Sequence, residues 1–257
     1  MKVRVMSDLH LEFDKVETPF HAGEGDVLVL AGDICTAVDL TTGGPICDMY
    51  EKFFSECVKN YNKVFYTAGN HESYDGVLSE TDSILRTIPG VTYLQNEVAH
   101  YWGWTFYGAT MWADFYGGDM GMMGKALDSM NDFRIIYNES SPINPFTTMN
   151  LHKETRKTMT EVIPELSPNV FVFTHHAPSL KSVIDSPRSG ELAGAYASDC
   201  EDIIRENQNI KVWAHGHIHE NQDYMIEQCR VIANPRGYND YEENKGFTKT
   251  FEIDLRN

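Results

Sequence analysis

The sequence predicts an α/β fold in which helices cover a β-sheet and a second sheet packs on the first. Two observations carry this. Short β-branched or aromatic runs at residues 3–6, 27–31, 64–68, 170–174 and 211–214 each end in a cluster of polar or glycine residues. Between some of them, apolar residues recur at the three-to-four spacing of an amphipathic helix.

Each element has its own local signal. The run at 3–6 is a first strand, because its apolar stretch is too short for a secretory signal. Ile46, Met49, Tyr50, Phe53, Phe54, Cys57, Val58 and Tyr61 line one face of a helix. Val77, Leu78, Ile84, Leu85 and Ile88 mark a second helix, stopped by Pro89-Gly90. From Val91 the texture becomes β, at 91–94 and 101–107 and again at 224–232 and 247–255, and these segments are assigned to the second sheet. Residues 112–165 are Gly- and Met-rich, then helical over 147–163. No flexible linker sets them off, so they are expected to form an insertion within one domain spanning 1–257.

The chain has 257 residues, 42% hydrophobic and 23% charged, which excludes a disordered, collagen-like or coiled-coil protein. Its 21 Lys and Arg face 38 Asp and Glu, a net charge of −17. Such a chain repels nucleic-acid backbones and anionic membranes, although bound cations can reverse the field locally. The five cysteines are odd in number and form no Cys-x-x-Cys pair, so neither a disulfide framework nor a cysteine zinc site is expected. A reducing, cytoplasmic location fits that usage. No apolar stretch reaches the ~18 residues of a membrane span.

The chemistry lies at the end of each apolar run. The first ends in Asp8-Leu9-His10, where a period of two places both side chains on one side. The second ends in Gly32-Asp33 and the third in Gly69-Asn70-His71-Glu72. The fourth ends in His175-His176 and the fifth in His215-Gly216-His217-Ile218-His219. Carboxyl ends of strands are where open α/β sheets hold their ligands. Of ten histidines, only His21, His100 and His152 fall outside these motifs. Asp, Asn and His without thiolates suit divalent transition metals, Mn²⁺ foremost, with Fe, Zn²⁺, Ni²⁺ or Co²⁺ also compatible. The donors outnumber the three or four that one catalytic ion takes, whereas two ions bridged by a carboxylate use them all.

In order and approximate spacing, this motif series resembles that of the calcineurin-like metallophosphoesterases. The resemblance runs from residue 8 to 219. It implies a four-layer αββα sandwich of two mixed β-sheets flanked by helices. It also implies a hydrolase that attacks phosphoesters with a metal-bridging hydroxide. Asp8, His10, Asp33 and His219 would hold one ion, and Asp33, Asn70, His175 and His217 the other. His71 would be the catalytic proton donor or phosphate contact. His176 and His215 are expected not to ligate, and Glu72 is expected either to orient His71 or a neighbouring backbone group or to be a solvated turn residue.

Beyond the metal motifs, Arg236 in Asn234-Pro235-Arg236-Gly237-Tyr238 is a candidate substrate-phosphate clamp, set against pairing with a carboxylate. Asn131-Asp132-Phe133-Arg134 and Trp112-Ala113-Asp114 either overhang the site or simply pack. The expected substrate is a small phosphoester such as a nucleotide. The alternatives are a nuclease, which the charge argues against, and a non-catalytic scaffold, which the intact motifs argue against. A protein phosphatase would be expected to carry arginines after the Gly-Asp and Gly-Asn-His segments, and none stands there.

Overall fold

The computed structural model describes residues 1–16, 20–184, 186 and 190–255. The five expected strands are Lys2–Met6, Gly25–Ala31, Tyr61–Thr67, Val170–Thr174 and Ile210–His215. Their apolar runs are buried on both faces, as strands covered on two sides require. Val27 and Val29 point toward the other sheet, and Leu28 and Leu30 toward the helices.

Two mixed sheets result. The first runs Glu252–Asp254, Lys2–Met6, Gly25–Ala31, Tyr61–Thr67, Thr92–Tyr93, parallel except at its Glu252–Asp254 edge. The second runs Gln222–Ile226, Cys229–Ala233, Ile210–His215, Val170–Thr174, Trp104–Ala109, Glu97–Tyr101. Its central pairings are parallel and both edge pairings antiparallel.

The sheets meet face to face over Val3, Val5, Phe65, Phe106, Phe171 and Phe173, with Phe65 stacked on Phe106 at 4.2 Å. The helix Pro45–Asn60 buries Met49, Tyr50, Phe53 and Phe54 against the outer side of the first sheet. Met159 of the helix Pro145–Val162 and Ile203 and Ile204 of Glu201–Glu206 cover the second. This is the αββα sandwich.

Sheet membership corrects the sequence expectation in two places. Thr92–Tyr93 and Glu252–Asp254 flank the first sheet, not the second. Short strands carry one apolar signature wherever they pair, so the pattern held no information about partners. The runs at 101–107 and 224–232 are each cut by a two-residue turn, at Trp102-Gly103 and Glu227-Gln228. Trp102 and Gly103 both have positive φ, 53° and 78°, the backbone that tight hairpins favour. The second helix, Leu78–Leu85, ends before Pro89-Gly90.

The crossover between the neighbouring strands Trp104–Ala109 and Val170–Thr174 carries the helices Phe115–Gly118, Met120–Ser129, Asp132–Ile135 and Pro145–Val162. Trp112, Phe115, Met122, Phe133 and Met149 form its own apolar cluster, joined by Tyr74 from beside the third strand. Among the described residues, no helix is long and apolar enough to cross a membrane.

Candidate metal centre

Loops leaving the carboxyl ends of the five strands converge at one end of the sandwich. The Asp8 N–H donates to the Gly32 carbonyl at 2.9 Å, that of His10 to Asp33 at 3.0 Å, and that of Gly216 to His175 at 2.9 Å. Asp8 and His10 do come together, but not through strand alternation. Their strand stops at Met6, and both residues have left-handed backbone, with φ of 51° and 47°. Asp33, His217 and His219 do the same, with φ of 56°, 70° and 57°. That conformation costs a non-glycine residue on the order of 1–3 kcal/mol and persists only where the surroundings enforce it. Two glycines make the close approach possible. A Cβ at Gly32 would collide with the His175 ring, and one at Gly216 would lie 2.5 Å from Asp8 Oδ2.

The donors form two groups that meet at Asp33. In the first, His219 Nε2 is 3.1 Å from His10 Nε2 and 3.3 Å from Asp8 Oδ1. In the second, His175 Nε2 is 3.0 Å from Asn70 Oδ1 and 3.1 Å from His217 Nδ1. Asp33 Oδ2 lies 3.2 Å from His175 Nε2 and 3.7 Å from His10 Nε2. Asp33 Oδ1 accepts the His71 N–H at 2.9 Å, which leaves Oδ2 for the centre. The His175 Nδ1–H donates to the Ala31 carbonyl at 2.9 Å, which turns Nε2 inward.

These donors could hold divalent cations. Asp8, His10 and His219 bring ligand atoms within 4.8 Å of one another, and so do Asp33, His175 and His217. The electrostatics point the same way. Burial would raise the Asp33 carboxyl, but His175 and His71 hold it well below the usual range. Against burial, Asp33 lifts His175 to about 10 and helps lift His71 to about 9. Protons are drawn in where cations would otherwise balance the carboxylates.

The neighbouring residues fix the donors in place. Glu72 accepts the backbone N–H groups of Asp33, Ile34 and Gly69 at 2.9, 2.7 and 2.6 Å, and the Tyr66 hydroxyl at 2.6 Å. It therefore orients backbone rather than His71. His71 is oriented instead by Glu12, whose Oε1 is 2.8 Å from His71 Nδ1 and 3.0 Å from His10 Nδ1. Sequence reasoning missed Glu12, although it continues the alternation Asp8, His10, Glu12. His176 packs its ring 4.2 Å from that of His217, and His215 meets the Ser182 hydroxyl at 3.0 Å.

A cavity of about 250 Å³ opens over the centre. Asp33, Asn70, His71, His217 and His219 form its floor, and Tyr74, Tyr196 and Tyr238 stand in its walls. Asn131 and Asp132 also line it, while Phe133 and Trp112 pack within the crossover cluster. Arg236 takes the carboxylate pairing set against a phosphate clamp. It does not line this cavity; its guanidinium pairs with Asp14 at 2.9 Å and donates to the Leu9 carbonyl at 3.0 Å. The loop reaches the site through Tyr238 instead. The nearby buried carboxylate claimed the arginine.

An uncharacterized protein of Acanthamoeba polyphaga mimivirus is 24% identical over 284 residues, spanning 98% of this chain and 96% of that protein. Among solved structures, phosphopantetheinyl hydrolase from Mycobacterium tuberculosis shares the fold with a TM-score of 0.67. The identity is 16%, covering 92% of this chain and 89% of that one. The calcineurin-like phosphoesterase family model matches residues 1–221, which takes in all five strand-end motifs, and the chain belongs to that family.

Proposed function

We propose that this chain is a dinuclear metal-dependent hydrolase of small phosphoesters, a monoesterase or diesterase acting on a substrate such as a nucleotide. The observation that carries the reading is Asp33, whose Oδ2 stands between the two donor groups. Asp8, His10, Asp33 and His219 would hold one ion, and Asp33, Asn70, His175 and His217 the other, with Mn²⁺ the first choice. When bound, such a pair supplies positive charge for the phosphoryl oxygens and an activated water at neutral pH.

The chain's own residues supply the rest. Glu12 occupies Nδ1 of His71, so Nε2 faces the cavity and can give its proton to the departing oxygen. Tyrosine walls suit a flat or apolar remainder. Among the described residues, no Lys or Arg lines the cavity. A single phosphoryl group can be neutralised by two cations, but an extended nucleic-acid backbone cannot, which favours small esters over a nuclease.

The test is a screen of mono- and diesters after chelation, with Mn²⁺, Ni²⁺, Zn²⁺ or Mg²⁺ returned and metal content measured. Phosphopantetheine esters join nucleotides in it, because a phosphopantetheinyl hydrolase shares the fold. Turnover should vanish on chelation and return with about two ions per chain. Turnover by metal-free protein would overturn the reading.

A further inference from the structure

We propose that Tyr238 is a second catalytic donor, whose hydroxyl hydrogen-bonds the leaving-group oxygen beside His71. This rests on the two-metal phosphoesterase reading above. The Tyr238 hydroxyl lies 3.3 Å from His71 Nε2. Because Glu12 holds Nδ1, Nε2 is the nitrogen that His71 presents to a substrate. Both residues border the cavity, so an oxygen seated between them meets two donors at once. The Tyr238 ring centroid is 4.4 Å from that of His10 and 4.7 Å from that of His219, so its ring packs against two residues of the donor cluster.

The loop is built to hold this position. Gly237 pairs with Glu243 and Tyr238 with Glu242 in a short antiparallel hairpin. Gly237 has φ of 80°, and a Cβ there would strike the Glu242 carbonyl. Arg236 and Asn239 both bind Asp14, at 2.9 and 3.0 Å. Asp14 directly follows the turn Leu11–Phe13, which contains Glu12. One carboxylate thus ties the tyrosine's loop to the segment that orients His71, and the two partners of His71 are held as a unit.

The step balances without a further reactant. The oxygen of water forms the new bond to phosphorus as that water gives one proton to solvent, and the departing oxygen leaves with the electron pair of the broken P–O bond. It takes its proton from His71 Nε2, while Tyr238 keeps its own proton and donates only a hydrogen bond. Such a donor matters in proportion to the charge that develops on the leaving oxygen.

The experiment compares Tyr238→Phe with wild type, both Mn²⁺-loaded, on an alkyl phosphate and on a series of aryl phosphates ending in nitrophenyl phosphate. The variant should lose about 10²-fold in kcat on the alkyl ester, the scale of one missing oxyanion donor. It should lose under about 3-fold on nitrophenyl phosphate, whose leaving group needs little help, and keep its metal content. Across the aryl series, its rate should depend more steeply on leaving-group pKa. Equal losses on all esters, an unchanged rate on the alkyl ester, or loss of metal would each overturn the role of Tyr238. Wild-type turnover that persists under chelation overturns the two-metal reading and this role with it; a uniform loss in a chelator-sensitive enzyme overturns this role alone.

Discussion

The Asn70 side-chain amide donates to Asp132 Oδ1 at 2.9 Å, and its own Oδ1 thereby faces His175 Nε2 at 3.0 Å. The Tyr74 hydroxyl donates to the same Asp132 oxygen at 2.7 Å. An asparagine binds a metal through its carbonyl oxygen, so the carboxylate that claims the NH₂ end decides which end reaches the centre. Asp132→Ala should weaken the ion held with Asn70, His175 and His217 by about 10–100-fold and leave the other ion nearly unaffected. Calorimetric metal titration would resolve the two sites; equal weakening of both would contradict this orienting role.

Asp33 should matter to both ions. Asp33→Asn keeps the shape but removes the charge shared between the two groups. Elemental analysis should show occupancy falling at both sites, and turnover should fall with it. Full occupancy in this variant would argue against a bridge.

His71 should serve chemistry more than metal binding. His71→Ala should lose roughly 10²–10⁴-fold in rate, the scale of a positioned acid, and retain its metal. The loss should shrink for a nitrophenyl leaving group. Glu12→Gln should reproduce part of the same selectivity, because it weakens the partner that turns Nε2 into the cavity. A loss of metal in His71→Ala would mark a ligand instead.

Glu72 should be a stability residue. Replacing it with Ala leaves three buried N–H groups and the Tyr66 hydroxyl without their acceptor, at about 1–3 kcal/mol each. Urea unfolding should therefore show a loss of at least about 3 kcal/mol. Glu72→Gln should lose less, because one oxygen remains. A midpoint unchanged in Glu72→Ala would rule out this bracing.

Substrate charge should set preference. With no Lys or Arg among the described residues lining the cavity, a nucleoside monophosphate should be turned over faster than the corresponding diphosphate. Ionic strength should affect the small ester only weakly. A polynucleotide with higher kcat/KM, collapsing steeply as salt rises, would favour the nuclease reading.

The sequence alone determined the five buried strands and what stands at their ends. Apolar runs closing on Asp-x-His, Gly-Asp, Gly-Asn-His and Gly-His-x-His were legible because both the strand signal and the donor chemistry are local. Only the tertiary structure decided the company those residues keep. Arg236 and Asp14 are separated by 222 positions, and no local pattern announces that pair. The same holds for Glu12 with His71, for Asp132 with Asn70, and for the two short edge strands that joined the first sheet. Even the Asp8–His10 pairing, rightly expected, arises from left-handed loop backbone enforced by Gly32 and Asp33 rather than from strand alternation. A hydrogen bond depends on distance and direction in space, and those exist only once the two sheets have closed.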